Sequence, residues 1–209
     1  MELKQELLVE GNDDLHVVAA LCNKHNIKEN FRIVDCKGIE NLLIGLPVRL
    51  KSSVKTIGAV IDADADLNAR WNSVCSILSA SGRYGDIPDE CPAEGLILEP
   101  VSEGDPKFGL WIMPDNRTSG MLEHFTTMLI PADDDLLPVV DETLSRLESN
   151  GMNRYSTVHH EKARIHTWLA WQESPGTPMG LAITKKYLTS QPSAYGAFTE
   201  WLKSLFEDA

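Results

Sequence analysis

The stretch TIGAVIDADAD, residues 56–66, decides the fold class of this chain of 209 residues. Its first six residues are almost continuously apolar, which is typical of a β-strand covered on both faces. The strand runs directly into three aspartates, Asp62, Asp64 and Asp66. Apolar residues then recur at helical spacing over residues 67–78 and predict an amphipathic helix. The stretch therefore predicts a buried strand, an acidic loop and a helix, in that order.

The sequence before this stretch shows the same alternation twice. Residues 6–9 form a short apolar run that predicts a first strand, and helical spacing follows over residues 15–22. Residues 31–34 predict a second strand, and residues 39–46 predict a second helix that Pro47 shortens or bends. Strands that alternate with helices favour a parallel sheet flanked by helices. We therefore expect an α/β fold with a mostly parallel central sheet.

The second half of the chain is predicted to be mostly helical. Residues 82–106 are rich in glycine, proline and acids, with one short strand candidate at 96–98, and residues 108–113 predict a further strand that can pair with it. Helices are predicted around Leu122 and over residues 135–149, 161–172 and 193–206. We expect residues 1–130 to form the α/β core and residues 131–209 to form a helical extension packed on the same domain.

The composition is that of a folded, acidic protein. Asp and Glu number 31 against 19 Lys and Arg, which gives a formal net charge of −12. Hydrophobic residues make up 43% of the chain and charged residues 24%, a balance typical of folded rather than disordered proteins. Proteins that bind nucleic acid usually present a basic surface, because affinity comes from neutralising phosphates. A nucleic-acid partner would therefore have to be bound through a local basic face or through metal ions.

The sequence also predicts where the protein is found. No stretch approaches the roughly 18 consecutive apolar residues of a membrane span, and charged residues from Glu2 onward argue against a signal peptide. The cysteines form no C-x-x-C pair, which argues against a zinc cluster: Cys22, Cys36, Cys75 and Cys91. We expect reduced thiols in a cytoplasmic protein that has no membrane partner.

Carboxylates are predicted to gather at the carboxyl ends of the parallel strands. Glu10 follows the first strand, and Asp62, Asp64 and Asp66 follow the central one. Open α/β sheets bind their ligands at this edge. Several converging carboxylates repel one another unless a hard divalent cation such as Mg²⁺ or Mn²⁺ lies between them. Such a cation keeps open positions for water and phosphate oxygens, so the pattern indicates a site that processes phosphates.

A simpler interpretation of the acidic loop stays open. The aspartates after the central strand could be a solvated loop, with Asp66 as the N-cap of the following helix. A calcium loop of the EF-hand type is a poor match, because Leu67 and Ser73 stand where that loop needs Gly and Glu. The spacing alone does not separate a metal site from a helix cap.

Three short motifs, in order, resemble those of Toprim domains. Residues 9–14, Val-Glu-Gly-Asn-Asp-Asp, resemble the first Toprim motif, and residues 61–64, Ile-Asp-Ala-Asp, resemble the Asp-x-Asp motif. Gly38, after the second predicted strand, resembles the glycine between these two motifs. The resemblance covers about the first 80 residues. It implies a Rossmann-like Toprim fold and Mg²⁺-dependent phosphodiester chemistry on nucleic acid.

The likeness is closest to the Toprim domains of OLD-type nucleases and to small stand-alone Toprim-like proteins. Glu10 and Asp14 match the Glu-x-x-x-Asp first motif of these proteins, Leu122-Glu123 resembles their later Leu-Glu pair, and Lys162 is the candidate for their lysine. The chain departs from OLD proteins in having no Gly-x-x-x-x-Gly-Lys-Ser/Thr loop. An ATPase partner would have to be a separate chain.

The resemblance implies a role for each of these residues. The candidate ligands of Mg²⁺ or Mn²⁺ are Glu10, Asp14, Asp62, Asp64, Asp66 and Glu123. Asp62 and Asp64 would be the principal ligands, and Glu10 would be either a ligand or a general acid/base. Lys162 would stabilise negative charge on the phosphoryl oxygens. The catalytic candidates are therefore Glu10, Asp62, Asp64 and Lys162.

Other residues in the second half receive less specific interpretations. His159, His160 and His166 lack the pattern of a zinc site, and we expect a cationic strip with Lys162 and Arg164 instead. The aromatic residues of the last helices are expected to be core rather than base-stacking: Trp168, Trp171, Tyr195, Phe198 and Trp201.

Two other functional classes stay open beside a nuclease. One is a non-catalytic Toprim-like protein that binds nucleic acid, a nucleotide or a partner. The other is a doubly wound domain whose acidic loop is only a helix cap.

Overall fold

In the computed structural model, residues 4–189 and 192–207 are described, apart from the side chains of residues 192–194. Its strands are β1 (Gln5–Val9), β2 (Arg32–Asp35), β3 (Thr56–Asp62), β4 (Leu96–Leu98) and β5 (Lys107–Met113). They form a five-stranded sheet in the order β2-β1-β3-β5-β4. Neighbouring strands pair in parallel except β4, which is antiparallel to β5. The expected α/β fold with a mostly parallel sheet is confirmed.

Helices flank this sheet and make up the C-terminal region. They are α1 (Asn12–Lys24), α2 (Ile39–Arg49), α3 (Leu67–Ser81), α4 (Leu122–Thr127), α5 (Leu136–Ser149), α6 (His160–Ala170), α7 (Met179–Thr184) and α8 (Pro192–Phe206). A 3₁₀ turn, Thr157–His159, precedes α6. The sequence does not predict α7, because six residues are too few for a periodic signal. Among the described residues, none of the helices combines the length and apolarity needed to cross a membrane.

Strand β3 lies in the middle of the sheet, and both of its faces are buried. Val60 belongs to the cluster that the C-terminal helices share, whereas Ile57, Ala59 and Ile61 pack with residues of α2 and α3. Side chains alternate across a strand, so a continuous apolar run fits a position between two helical layers. The apolar stretch that decided the fold class is therefore the middle strand of the sheet.

Helix α3 begins at a capped N-terminus. The Asp66 carboxylate accepts a hydrogen bond from the Ala69 amide at 3.0 Å, which satisfies one of the free amides of the first turn. The helix ends at Gly82, whose φ of 65° is the left-handed conformation that glycine adopts at low cost. The acidic loop is therefore a helix cap at its last aspartate.

The C-terminal helices pack on the same sheet as the first 130 residues. A methyl group at Gly58 of β3 would lie 3.0 Å from both Leu205 and Phe206 of α8, so a glycine is needed where the helix crosses the strand. Trp168, Phe198 and Trp201 are buried in this layer, which confirms their expected place in the core.

The other aromatic residues of this region lie nearer the surface. Trp171 is 43% exposed, because it lies just beyond the last residue of α6. Tyr195 is half-buried and stacks on His25 of the first half of the chain, with 4.4 Å between ring centroids.

Candidate active site

The carboxyl ends of β1 and β3 bring two candidate residues into contact. Val9 of β1 pairs with Val60 of β3, so the residues that follow both strands emerge at the same edge of the sheet. The amide of Asp62 donates a hydrogen bond to Glu10 Oε1 at 2.7 Å. Gly38, at the start of α2, donates from its amide to the carbonyl of Glu10 at 2.7 Å. The side chain of Glu10 is therefore held by the end of β3, and its backbone is held by the start of α2.

Helix α4 adds a third acid to this edge. The amide of Leu122, its first residue, donates to Asp62 Oδ1 at 2.9 Å. Glu123 follows and is buried, with 4% of its surface exposed. Its Oε1 lies 3.0 Å from Lys162 Nζ of α6. The Leu122-Glu123 pair and Lys162 thus meet the strand-end acids although they are far away in sequence.

Asp14, in the first turn of α1, has one carboxylate oxygen that lacks a partner. Its Oδ2 accepts a hydrogen bond from the Gly11 amide at 3.1 Å. Its Oδ1 is buried, and none of the described residues forms a hydrogen bond with it. An oxygen buried in this way costs free energy unless a proton or a cation accompanies it. Asp14 is therefore the strongest structural indication of a ligand at this site.

Asp64 lies at the rim rather than the bottom of the site. Its φ of 53° turns the chain after β3, and its amide donates to the Gly120 carbonyl at 2.7 Å. Its carboxylate is half-exposed and pairs with Arg70 of α3 at 2.5 Å. Asp64 therefore lies at the site, and the guanidinium group of Arg70 already pairs with its carboxylate.

A cavity of about 560 Å³ joins these residues. The sequence candidates that line it are Glu10, Asp14, Asp62, Asp64, Glu123 and Lys162. Asp66 is not brought to this cavity, because its carboxylate caps α3, and it lines a separate surface depression beside Asn116. We therefore leave Asp66 out of the proposed site.

Burial makes the acids of this cavity hold protons more tightly than usual. Burial, together with the nearby charges of Asp14 and Glu10, raises the pKa of Asp62 to about 9. Burial likewise raises the pKa of Asp14 to about 7, to which the charge of Glu10 contributes. The pKa of Glu10 is also raised by burial, although the hydrogen bond from Asp62 opposes the change. The site therefore lacks positive charge for the acids it contains.

The pKa shift of Lys162 favours its charged form, unlike the shifts of the acids. Its pKa is raised, chiefly by its hydrogen bond to Glu123 and then by other acids that include Asp62. The ammonium group therefore remains charged at neutral pH. The expected cationic strip does not extend beyond it, because Arg164 pairs with Asp141 and His160 with Glu148.

The wall of the cavity includes residues to which sequence reasoning gave no definite role. Lys37 and the 3₁₀-turn residues Val158 and His159 line it together with the acids. Lys37 has a φ of 60°, which lets the chain turn after β2 toward the site. Its position beside Gly38, a motif glycine, is a signal that could have indicated it. Val158 has no comparable signal in the sequence.

The donor set fits Mg²⁺ or Mn²⁺, because it consists of carboxylate oxygens, one of which forms no hydrogen bond within residues 4–189 and 192–207. Among the described residues, however, no group of three or more His, Cys, Asp and Glu side chains is arranged to hold a metal ion. Oxygens of Glu10 and Asp62 accept backbone amides, while Glu123 contacts Lys162. Coordination would therefore require some of these carboxylates to turn away from their present partners.

Comparison with known proteins identifies the family but adds no activity. No curated protein and no solved structure matches the chain. The family DUF3226, described as a protein of unknown function, matches residues 4–207. Because the match spans nearly the whole sequence, the chain belongs to the DUF3226 family.

Proposed function

We propose that this protein is a Toprim-type phosphodiesterase that uses Mg²⁺ or Mn²⁺ to cleave nucleic acid. The observation that supports this function is the meeting of Glu10, Asp14, Asp62 and Glu123 in one cavity, where Asp14 Oδ1 is buried and has no hydrogen-bond partner in the described part of the chain. A fold does not need several acids at one place when their burial is unfavourable. A function that introduces a divalent cation gives a reason for all of them.

The metal would be held by carboxylates from four different elements. Glu10 follows β1, Asp14 lies in α1, Asp62 ends β3 and Glu123 lies in α4. When bound, a divalent cation polarises phosphoryl oxygens and lowers the pKa of a coordinated water. Ligands from separate elements hold such a site rigidly, because each is fixed by its own backbone.

The chain itself supplies a proton carrier and a fixed positive charge. The raised pKa of Glu10 brings its carboxyl group nearer to neutral pH, where a general acid or base is most effective. Lys162 is held by Glu123 beside the acids and can neutralise charge on a non-bridging phosphate oxygen. Glu10 and Lys162 are therefore the residues that would act directly on the reacting phosphodiester.

A non-catalytic binding protein is the second candidate function. Two ion pairs inside the chain favour it, Arg70 with Asp64 and Lys162 with Glu123, since they already neutralise two of the acids. A protein of this kind would bind a nucleotide or a strand at the same edge of the sheet without cleaving it.

The first experiment measures metal binding by titration calorimetry with Mg²⁺ and Mn²⁺. We expect the wild-type protein to bind and Asp62→Asn to lose at least about tenfold in affinity, because second-shell as well as direct ligands typically matter by that factor. The side-chain oxygen of the asparagine can still accept the hydrogen bond from the Leu122 amide, so the fold is kept. Asp66→Asn is the matched control, since asparagine also caps helices. Unchanged affinity in the Asp62 variant would refute the metal site.

The second experiment separates cleavage from binding. Single- and double-stranded DNA and RNA are incubated with the protein and Mg²⁺ or Mn²⁺, and the products are resolved by length. We expect cleavage by wild type and Asp66→Asn, and a loss of at least about a hundredfold with Asp62→Asn. Metal binding without cleavage of any substrate would favour the non-catalytic candidate.

A further inference from the structure

Three residues of the cavity lining differ in chemical character from the buried acids: Lys37, Val158 and His159. Val158, in the 3₁₀ turn, is 60% exposed although its side chain is apolar. His159 beside it is exposed too, and its ring contacts Ser156 at 3.4 Å. Lys37 pairs with Asp35 at 2.5 Å. The proposed chemistry uses none of these three residues.

The cavity has the size of a small-molecule site. Its volume of about 560 Å³ lies within the range of roughly 300–1,000 Å³ that is usual for pockets of ligands such as a single nucleotide. A cavity of this volume can hold one nucleotide unit, whereas a longer strand or a duplex would extend beyond it.

The distribution of charge leads to the same result. The lysines that line the cavity are Lys37 and Lys162, and both are already next to carboxylates. Beyond them, a long polyanion would meet a chain with a net charge of −12. Each added phosphate would therefore gain little, whereas one phosphate beside a bound cation would gain most of the available attraction.

Asp14 gives an independent indication that something binds here. Asp14 lines the cavity and is more than nine-tenths buried, and none of the residues that the structure describes forms a hydrogen bond with its Oδ1. This oxygen indicates the cation end of the ligand site. The exposed Val158 and His159 lie at another part of the same lining and offer an apolar and a planar surface, which suit a base or a sugar.

We infer that the cavity binds one nucleoside monophosphate unit, either free or at the end of a single strand, together with a divalent cation. The phosphate lies by the acids and Lys162, and the nucleoside lies against Val158 and His159. The inference rests on the proposed function and names its substrate class. It makes Val158 and His159 the residues that position the nucleoside.

The experiment compares ligands of increasing length in the presence of Ca²⁺, which takes the same oxygen ligands as Mg²⁺. The probes are adenosine 5′-monophosphate, oligodeoxyadenylates of about 4 and about 16 nucleotides, and a duplex of about 16 base pairs. We expect the monophosphate and the single strands to bind within about threefold of one another, and the duplex at least about tenfold more weakly.

The salt dependence of binding counts the phosphates that are contacted. For single strands the logarithm of the affinity falls with slope of about 0.7 per phosphate. We expect a slope between about −0.7 and −1.5 for the long strand, which corresponds to one or two phosphates. A slope that reports about four phosphates or more, or tighter binding of the duplex, would overturn the inference while leaving the proposed function standing.

Matched variants test the positioning residues. Val158→Ala and His159→Ala should each weaken binding of the monophosphate by about three- to tenfold, because the first removes apolar contact and the second removes a ring on which a base stacks. Val139→Ala and His166→Ala are the controls, because these residues are exposed on α5 and α6 and do not line the cavity. Metal affinity without nucleotide should be the same in all four variants.

The possible outcomes distinguish a failure of the nucleotide-binding inference from a failure of the proposed function. If the wild-type protein binds none of the probes with Ca²⁺ or Mn²⁺, both the inference and the proposed function fail. If it binds them but the two cavity variants behave like their controls, the inference alone fails. A loss confined to Val158→Ala and His159→Ala supports the inference.

Discussion

The buried acids at the two ends of strand β1 have different hydrogen-bond partners. At the amino end, Glu6 is buried and accepts hydrogen bonds from Arg32 at 2.5 Å and from Arg49 at 2.7 Å. At the carboxyl end, Glu10 and Asp62 lie next to each other without a guanidinium hydrogen bond. The acid at the amino end therefore has cationic partners within the fold, whereas for the acids at the carboxyl end we propose a cation from outside.

The contrast extends across the whole sheet. Lys4, Lys55 and Lys107 precede or begin β1, β3 and β5, and backbone hydrogen bonds of 2.7 Å and 2.9 Å join them in one row. The acids Glu10 and Asp62 lie at the other edge of the same strands. The acidity of the candidate site is therefore a local arrangement and does not simply follow from the net charge of −12.

The largest expected effect is stabilisation of the acidic edge by a metal. Mg²⁺ or Mn²⁺ at about 100 times its dissociation constant should raise the free energy of unfolding by about 2.7 kcal/mol, because it binds only the folded state. Chemical denaturation with and without the cation measures this. The increase should persist in Glu6→Gln and fall to about 1.4 kcal/mol or less in Asp62→Asn, whose affinity is expected to be at least about tenfold lower. An equal increase in both variants would mean that the cation binds elsewhere.

At the amino end of β1, removing a carboxylate should destabilise the fold. Glu6→Gln should lower the free energy of unfolding by about 1–3 kcal/mol, since two guanidinium groups lose their carboxylate. Urea denaturation in the absence of divalent cations measures the change. Glu29→Gln is a control, because that acid is exposed and a substitution there should stay within about 0.5 kcal/mol. A stabilised Glu6 variant would remove the difference between the two edges.

The fold could be predicted from sequence because its signals are local. The apolar run of β3 and the helical spacing after it needed no distant residue to be interpreted. Asp66 was a candidate for two roles, and the cap at Ala69 now accounts for its side chain. Short helix α7 could not be predicted, because its burial depends on α1, which lies far away in sequence.

The candidate site could be predicted only in part, for a physical reason. The strand-end acids follow from topology, since parallel strands end at one edge. Glu123 and Lys162 were proposed from a resemblance, and only the packing of α4 on α6 explains their 3.0 Å contact. Val158 carries no signal at all, because an exposed valine in a 3₁₀ turn has neither periodicity nor a motif. Long-range packing therefore supplies what local patterns lack.

The third expectation concerns pH and the metal-free protein. The pKa of Asp14 is about 7 in the folded state against an ordinary value of 3.8. The folded state thus binds more protons than the unfolded chain between these values, and its stability falls as pH rises through them. Asp14→Asn removes this loss. The substitution should change the free energy of unfolding little at about pH 5 and raise it by about 1–2 kcal/mol at about pH 8.

Denaturation at both pH values, without divalent cations, measures this difference. The amide oxygen of the variant can still accept from Gly11, and its NH₂ group can donate toward the neighbouring acids. Asp13→Asn is the control, since Asp13 is exposed one residue earlier. If the Asp14 variant is destabilised at the higher pH, Asp14 is a structural acid like Glu6.

The smallest expected effect concerns Lys162, which pairs with Glu123 at the acidic edge as Arg70 pairs with Asp64. The Lys162 side chain is about half exposed, so Lys162→Met should lower the free energy of unfolding by only about 0.5–1 kcal/mol. The same change frees Glu123 and should tighten Mg²⁺ binding by about three- to tenfold, because an ammonium no longer competes for its oxygen. Calorimetry measures the affinity and denaturation measures the stability. Lys37→Met, at a more exposed pair, should change neither appreciably. Weaker metal binding in Lys162→Met would show that Glu123 serves as the structural partner of Lys162, as Glu6 does for Arg32 and Arg49, and is not a metal ligand.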